Sequence, residues 1–247
     1  MEGHTAHCAE RTIMTEEPRT RTPPRGAAAS SGLLDEIVLR RHSSRKFLLD
    51  RPVPRELLRE ALTLATRAPS NSNVQPWRLF VATGARRDSL AAALSAEARD
   101  HPPSAMGLPE SFLDLRRELG ALVYGSMGIA RDDAPGRWTA QLRNFEFFSA
   151  PVAAMVCMHR DLGMADALGV GMFLQTLLLA LTERGIDSCV QVSTALFPDI
   201  ARQQLGIPGE LNVLCGLCIG YADPAFAANA LITPRDDLSR NVTFCDR

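Results

Sequence analysis

Lysine and net charge are both nearly absent from this chain. Of 27 basic residues only Lys46 is a lysine, and the formal net charge is −1 at pH 7. No bulk field draws such a chain to nucleic acid or to an anionic membrane. The arginines that carry the positive charge do not deprotonate, and their forked donors suit phosphate. Long apolar runs are scarce too. The best of them, Val170 to Leu181, is shorter than a bilayer requires, and no continuous apolar segment follows the N-terminus. The expectation is a cytoplasmic protein with neither leader nor membrane span. Six scattered cysteines (Cys8, Cys157, Cys189, Cys215, Cys218, Cys245) fit it, several lying in apolar runs where a thiol acts as a small hydrophobe.

Several motifs begin and then stop. Gly169-Val170-Gly171 opens like a dinucleotide fingerprint, but no third glycine follows and no strand precedes it. Gly125-Ser126-Met127-Gly128 has Tyr124 where a nucleophile elbow needs glycine. Cys215 and Cys218 have the spacing of a metal or redox pair. They lie in a strand pattern, however, where residues three apart face opposite sides. The five histidines show no i, i+4 pairing, so no metal centre is expected.

Residues 1–30 are rich in Arg, Thr, Pro and Ala and read as a flexible tail, leaving 31–247 as one domain. Apolar spacing predicts helices from Leu33 to about Arg41, around Leu57 to Ala65, and over 85–99, 112–129, 164–184 and 198–205. A turn is expected at 132–136 and a short aromatic helix at 141–148. Strands are predicted over 77–82, 152–158, 189–192 and 211–221. Short strands that are apolar on both faces indicate an α/β or α+β sheet covered on two sides.

Two polar strings flank the second helix. Arg41-His42-Ser43-Ser44-Arg45-Lys46 offers fixed cations and short-range donors. Ser70-Asn71-Ser72-Asn73-Val74-Gln75 lies between Pro69 and Pro76 and is nearly all amides and hydroxyls. An ordinary turn uses one or two such residues. Together the strings suit a planar polar ligand with an anionic tail.

The same residues carry a family resemblance. Arg41-His42-Ser43-x-Arg45-x-Phe47, then Pro52-Val53, then Ala68-Pro69-Ser70-x-x-Asn73-x-Gln75-Pro76-Trp77 resemble the opening of the FMN-dependent nitroreductases. Phe147-Phe148-Ser149-Ala150-Pro151 and Gly185-Ile186-Asp187-Ser188-Cys189 are similar to later parts of that family, closest to its bacterial nitrobenzoate-reducing branch. The resemblance implies an α+β three-layer sandwich, with flanking helices around a mostly antiparallel central sheet, assembled as a domain-exchanged homodimer. It implies FMN in the dimer interface, with NADPH or NADH as reductant and a nitroaromatic as oxidant. Two-electron transfer would run on the flavin, with no obligatory acid, base or nucleophile from the protein.

In those terms Arg41 and Ser43 hold the phosphate and ribityl chain, His42 is a further cofactor-binding candidate, and Arg235 or Arg240 completes the phosphate site. Arg45 faces the N1/O2 edge, where negative charge develops on reduction. Ser70, Asn71 and Asn73 come from the partner chain, and Pro69 and Gln75 are further cofactor-binding candidates. The main chain of Gln191-Val192-Ser193 approaches N5, although the glutamate-glycine pair found there in some members is absent. Tyr124, Trp138, Phe145, Phe147 and Phe148 are candidates for an aromatic substrate wall. Reduction of quinones, enones or halogenated aromatics on the same fold is the alternative activity, and a non-enzymatic flavin-binding protein is the alternative class.

Overall fold

A computed structural model of the chain describes residues 32–103 and 107–245. The tail expected at 1–30 lies outside them. The elements, in order, are α1 (Leu33–Arg40), α2 (Arg55–Ala65), β1 (Arg78–Thr83), α3 (Gly84–Asp100), α4 (Leu113–Ser126), α5 (Ala134–Leu142), β2 (Val152–His159), α6 (Met164–Glu183), β3 (Asp187–Gln191), α7 (Pro198–Leu205), β4 (Leu211–Gly220) and α8 (Leu238–Asn241), with short 3₁₀ turns between. The four strands form one antiparallel sheet in the order β1-β2-β4-β3.

Alternation along β2 builds two cores. Val152, Ala154 and Val156 point to one side, with Leu217 and Ile219 of β4, and meet α2 and α6. Ala153, Met155 and Cys157 point to the other, with Cys189 and Cys218, and meet α3 and α7. All of β2 but His159 is buried. The expected three-layer α+β sandwich is therefore present. Cys215 and Cys218 fall in opposite cores, as strand geometry predicted.

Two local expectations change. No turn forms over 132–136, because Asp133 caps a new helix by accepting from the Gly136 N–H at 2.9 Å, with Pro135 in its first turn. The short helix expected at 141–148 is replaced by the last turn of α5 and then a left-handed turn, Phe147, Phe148 and Ser149, with φ of 53°, 52° and 64°. Core burial of both rings and a 2.9 Å hydrogen bond from buried Arg87 Nε to Ala150 O hold a backbone that non-glycine residues otherwise avoid. α6, Met164–Glu183, forms where the helix over 164–184 was expected. By length and mean hydropathy (1.7) it could cross a membrane, with 44% of its apolar window buried inside the protein.

The core thiols set a pH dependence. Burial pushes Cys157 up to about 12 and Cys215 up to about 11, from an ordinary 9.0. Burial also raises Cys189 and Cys218. Above pH 9 the unfolded chain releases thiol protons that the folded chain keeps. Stability is therefore full below pH 9 and falls above it, by about 1.4 kcal/mol per pH unit for each such thiol. Urea midpoints are expected to hold from pH 7 to 8.5 and then drop through pH 11. A flat alkaline limb would contradict this.

Candidate functional site

The segment after α1 becomes a ribbon beside β3. Arg40 ends the helix and donates from Nη2 to Thr182 O, 2.6 Å away near the C-terminus of α6. The backbone turns extended at Arg41. Ser43 then bridges Ser188 in parallel, and the Ser44 N–H donates to Ser188 O at 3.1 Å. Ser44 is fully buried, with its Oγ 3.4 Å from His42 Nε2.

Further along, the Arg45 N–H donates to Asn229 Oδ1 at 2.7 Å, and Asn229 Nδ2 donates to Lys46 O at 2.8 Å. Arg143 Nη2 donates to Arg45 O at 2.6 Å. Phe47 is buried, and its N–H reaches Phe148 O at 3.0 Å.

Of the ribbon's side chains, His42, Ser44 and Phe47 are engaged or buried within the protein. Arg45 spends one nitrogen on Ser43 O, at 3.1 Å. Among the described residues no carboxylate lies within ion-pair distance of Arg41 or Arg45. Beneath them lies Cys189. Its thiol is raised by burial first, and Arg45, the Ser43 hydroxyl and Arg41 draw it the other way. These three expected site residues therefore converge on one place.

The floor continues along β3. Gln191 is buried and donates to Asn144 O at 2.9 Å, while its Oε1 accepts from Cys218 at 2.8 Å. Its side chain is thus engaged inside the protein. Val192 and Ser193 follow at the start of a 3₁₀ turn, where N–H groups precede the turn's internal hydrogen bonds. Val192 is exposed and Ser193 half-exposed.

The amide loop is preformed. Ser72, Asn73 and Gln75 have φ of 47°, 57° and 51°. Ser70 Oγ accepts from the Gln75 N–H at 3.0 Å, and Gln75 Nε2 donates to Asn73 O at 3.2 Å. The carboxamides of Asn71, Asn73 and Gln75, and Pro69 before them, face outward and are exposed. The loop rests on Gly169 of α6, where a Cβ would come 3.2 Å from Ser70 Cβ and 3.3 Å from Pro76 Cγ. That close approach explains the glycine better than any dinucleotide fingerprint.

The two polar strings have separate anchors on α6. The arginine ribbon is tied to Thr182 and the amide loop to Gly169, both on α6. Thirteen residues of helix separate those anchors, about 20 Å at 1.5 Å per residue.

The aromatic candidates divide. Phe145, Phe147 and Phe148 are buried in the core with Phe47, so their rings are not free to line a substrate wall. Tyr124 and Trp138 are half-exposed, on α4 and α5. Tyr124 lies under Arg137, whose Cζ is 4.7 Å from the ring centroid, and its hydroxyl accepts from Gln141 at 3.3 Å.

The C-terminal arginines also differ. Arg240 pairs with Asp236 at 3.4 Å, whereas among the described residues Arg235 donates to neutral oxygens of Thr233 and Pro234. Asn229 and Arg143, which grip the Arg45 main chain, were not anticipated. Asn229 stands in Ala-Ala-Asn-Ala and Arg143 at a helix end, and neither carries a local signal.

Comparisons with known proteins agree with this architecture. Residues 38–221 match the model of the Nitroreductase family. A 4-nitrobenzoate reductase from Nocardioides sp. is 34% identical over 220 residues, covering 85% of this chain and 89% of the relative. A 4-nitrobenzoate reductase from Pseudomonas putida is 35% identical over 209 residues, covering 82% and 91%. The FMN-dependent nitroreductase NfnB from Mycobacterium smegmatis, solved in complex with NADPH, superposes with a TM-score of 0.80 at 34% identity, covering 85% of this chain and 96% of that one. With its three-layer sandwich, its arginine ribbon and its amide loop, the chain belongs to the nitroreductase family.

Proposed function

We propose that this protein is a homodimeric FMN-dependent oxidoreductase that uses NADPH or NADH to reduce nitroaromatic compounds. The observation that carries the reading is the pair of guanidiniums, Arg41 and Arg45, which among the described residues have no carboxylate within ion-pair distance and lie beside buried Cys189. Two such cations fit a cofactor with an anionic tail and a ring that gains negative charge. When bound, FMN supplies the hydride and two-electron chemistry. Arg41 and Ser43 hold the phosphate end, and Arg235, in no ion pair among the described residues, completes it in preference to the paired Arg240. Arg45 stabilises charge on the N1/O2 edge. The main chain of Val192-Ser193 donates toward N5, and the half-exposed Tyr124 and Trp138 border the substrate.

The homodimer reading has support of its own. Ser70, Asn71, Asn73 and Gln75 reach the cofactor from a second copy, a reading supported by the about 20 Å of helix between the two anchors. Met164, Leu168 and Met172 form an exposed apolar stripe at i, i+4 spacing on α6. β1 is an edge strand, flanked by a cavity of about 990 Å³ between α2 and α3. The C-terminal arm carries Ile232 and Phe244 at 92% and 72% exposure. An open edge and an uncovered apolar arm in one chain suit arm exchange between copies. Free buried thiols at Cys157, Cys189, Cys215 and Cys218 suit a cytoplasmic enzyme.

Purified protein is expected to be a yellow dimer with one FMN per chain and to oxidise NADPH or NADH only when a nitroaromatic such as 4-nitrobenzoate is supplied. Arg41→Ala and Arg235→Ala should each weaken FMN binding about tenfold or more, at 1.5–3 kcal/mol per charged contact. A colourless protein that fails to reconstitute with FMN would overturn the proposal.

A further inference from the structure

Arg143 leaves the end of α5 and turns its guanidinium inward. Nη2 donates to Arg45 O at 2.6 Å, and Nη1 lies 3.8 Å from Met127 Sδ. Its Cζ stands 4.4 Å from the Phe226 ring centroid and 6.0 Å from that of Phe148. Among the described residues no carboxylate comes within ion-pair distance of it, and Glu146 is engaged by Arg99 at 3.5 Å. Half-buried cations with no anion are costly, and proteins normally neutralise them. A backbone carbonyl alone does not require this arrangement. Asn229 grips the same residue by its N–H with a neutral amide.

We propose that Arg143 is a positioning residue: it holds the Arg45 main chain in place and sets a second positive charge, outside any ion pair among the described residues, behind it. The inference rests on Arg45 lying against the flavin edge that becomes negative on reduction. Inside a protein such a charge is screened far less than in water, so it acts at the site without touching the cofactor. Burial lowers the guanidinium's proton affinity, and Glu146 offsets part of that, yet an arginine remains protonated. The rings of Phe226 and Phe148 exclude water on one side and favour a cation through their faces.

The test is the midpoint potential of bound FMN. Arg143→Gln keeps a donor and loses the charge, and Arg143→Met loses both; either variant that retains FMN suffices. Each should shift the reduction equilibrium about tenfold against reduction, which is about 30 mV for a two-electron couple. Arg143→Lys, which keeps the charge, should stay within twofold of the parent. Arg45→Ala, measured in parallel, should shift it the same way. Variants at Arg143 that lower thermal stability but leave the potential unchanged, while Arg45→Ala shifts it, would reduce Arg143 to a structural role and overturn the inference alone. An unchanged potential in Arg45→Ala would instead overturn the placement of the flavin edge.

Discussion

Two inactive variants of this chain, co-expressed, are expected to regain activity together. One carries Arg41→Ala with Arg45→Ala and loses the cationic ribbon. The other carries Asn71→Ala with Asn73→Ala and loses the amide loop. If each site takes its ribbon from one copy and its loop from the other, a mixed dimer holds one site with every substitution and one site with none. Random assortment makes half of the dimers mixed, so about a quarter of all sites are restored under two-fold symmetry. If both strings served one site within a chain, every site in a mixed dimer would carry one lesion and nothing would return. The physical ground is the rigid span of α6 between the ribbon's anchor at Thr182 and the loop's anchor at Gly169. FMN content and NADPH oxidation of the co-purified mixed dimer check the outcome, and activity at the level of the separate variants would sink it.

Phe47→Ala is expected to be the most damaging single substitution for stability. Phe47 is 1% exposed, and its ring lies so close to Gly220 that a Cβ there would come 3.1 Å from Phe47 Cδ1. Its main chain is tied to Phe148 O and bridges Ala222. Nearby side chains cannot collapse into the space, because Phe147 and Phe148 are held in left-handed backbone conformations. The cost is about 3–5 kcal/mol, a large fraction of the about 5–15 kcal/mol that holds a domain folded. Phe47 lies two residues past Arg45, so FMN affinity should fall with stability. Urea unfolding with and without FMN measures both, and a loss under about 1 kcal/mol would contradict the packing argument.

Much of this was readable from the chain. The doubly apolar strands predicted a sheet covered on both faces, and β2 is buried along almost its whole length. Strand alternation alone placed Cys215 and Cys218 apart. The expectation failed where local pattern and tertiary demand disagree. The aromatic run at 145–148 looked like one side of a helix, but the core on the α3 and α7 side of the sheet took all three rings. The phenylalanines went into the core and the backbone adopted a left-handed turn instead. That removed three of the five residues proposed for a substrate wall.

What the amino-acid sequence determined by itself was the chemistry on offer: clustered arginines, a run of amides between prolines, and apolar periods long enough for a three-layer fold. These are local properties, legible at spacings of a few residues. Which groups share a site was decided only by tertiary structure. Asn229 meets Arg45 across 184 residues and Arg143 meets it across 98, because a folded ribbon with unsatisfied backbone groups must find partners wherever packing brings them. The same packing sets the ribbon and the amide loop at different points on a straight helix, a separation that spacing along the chain could not reveal.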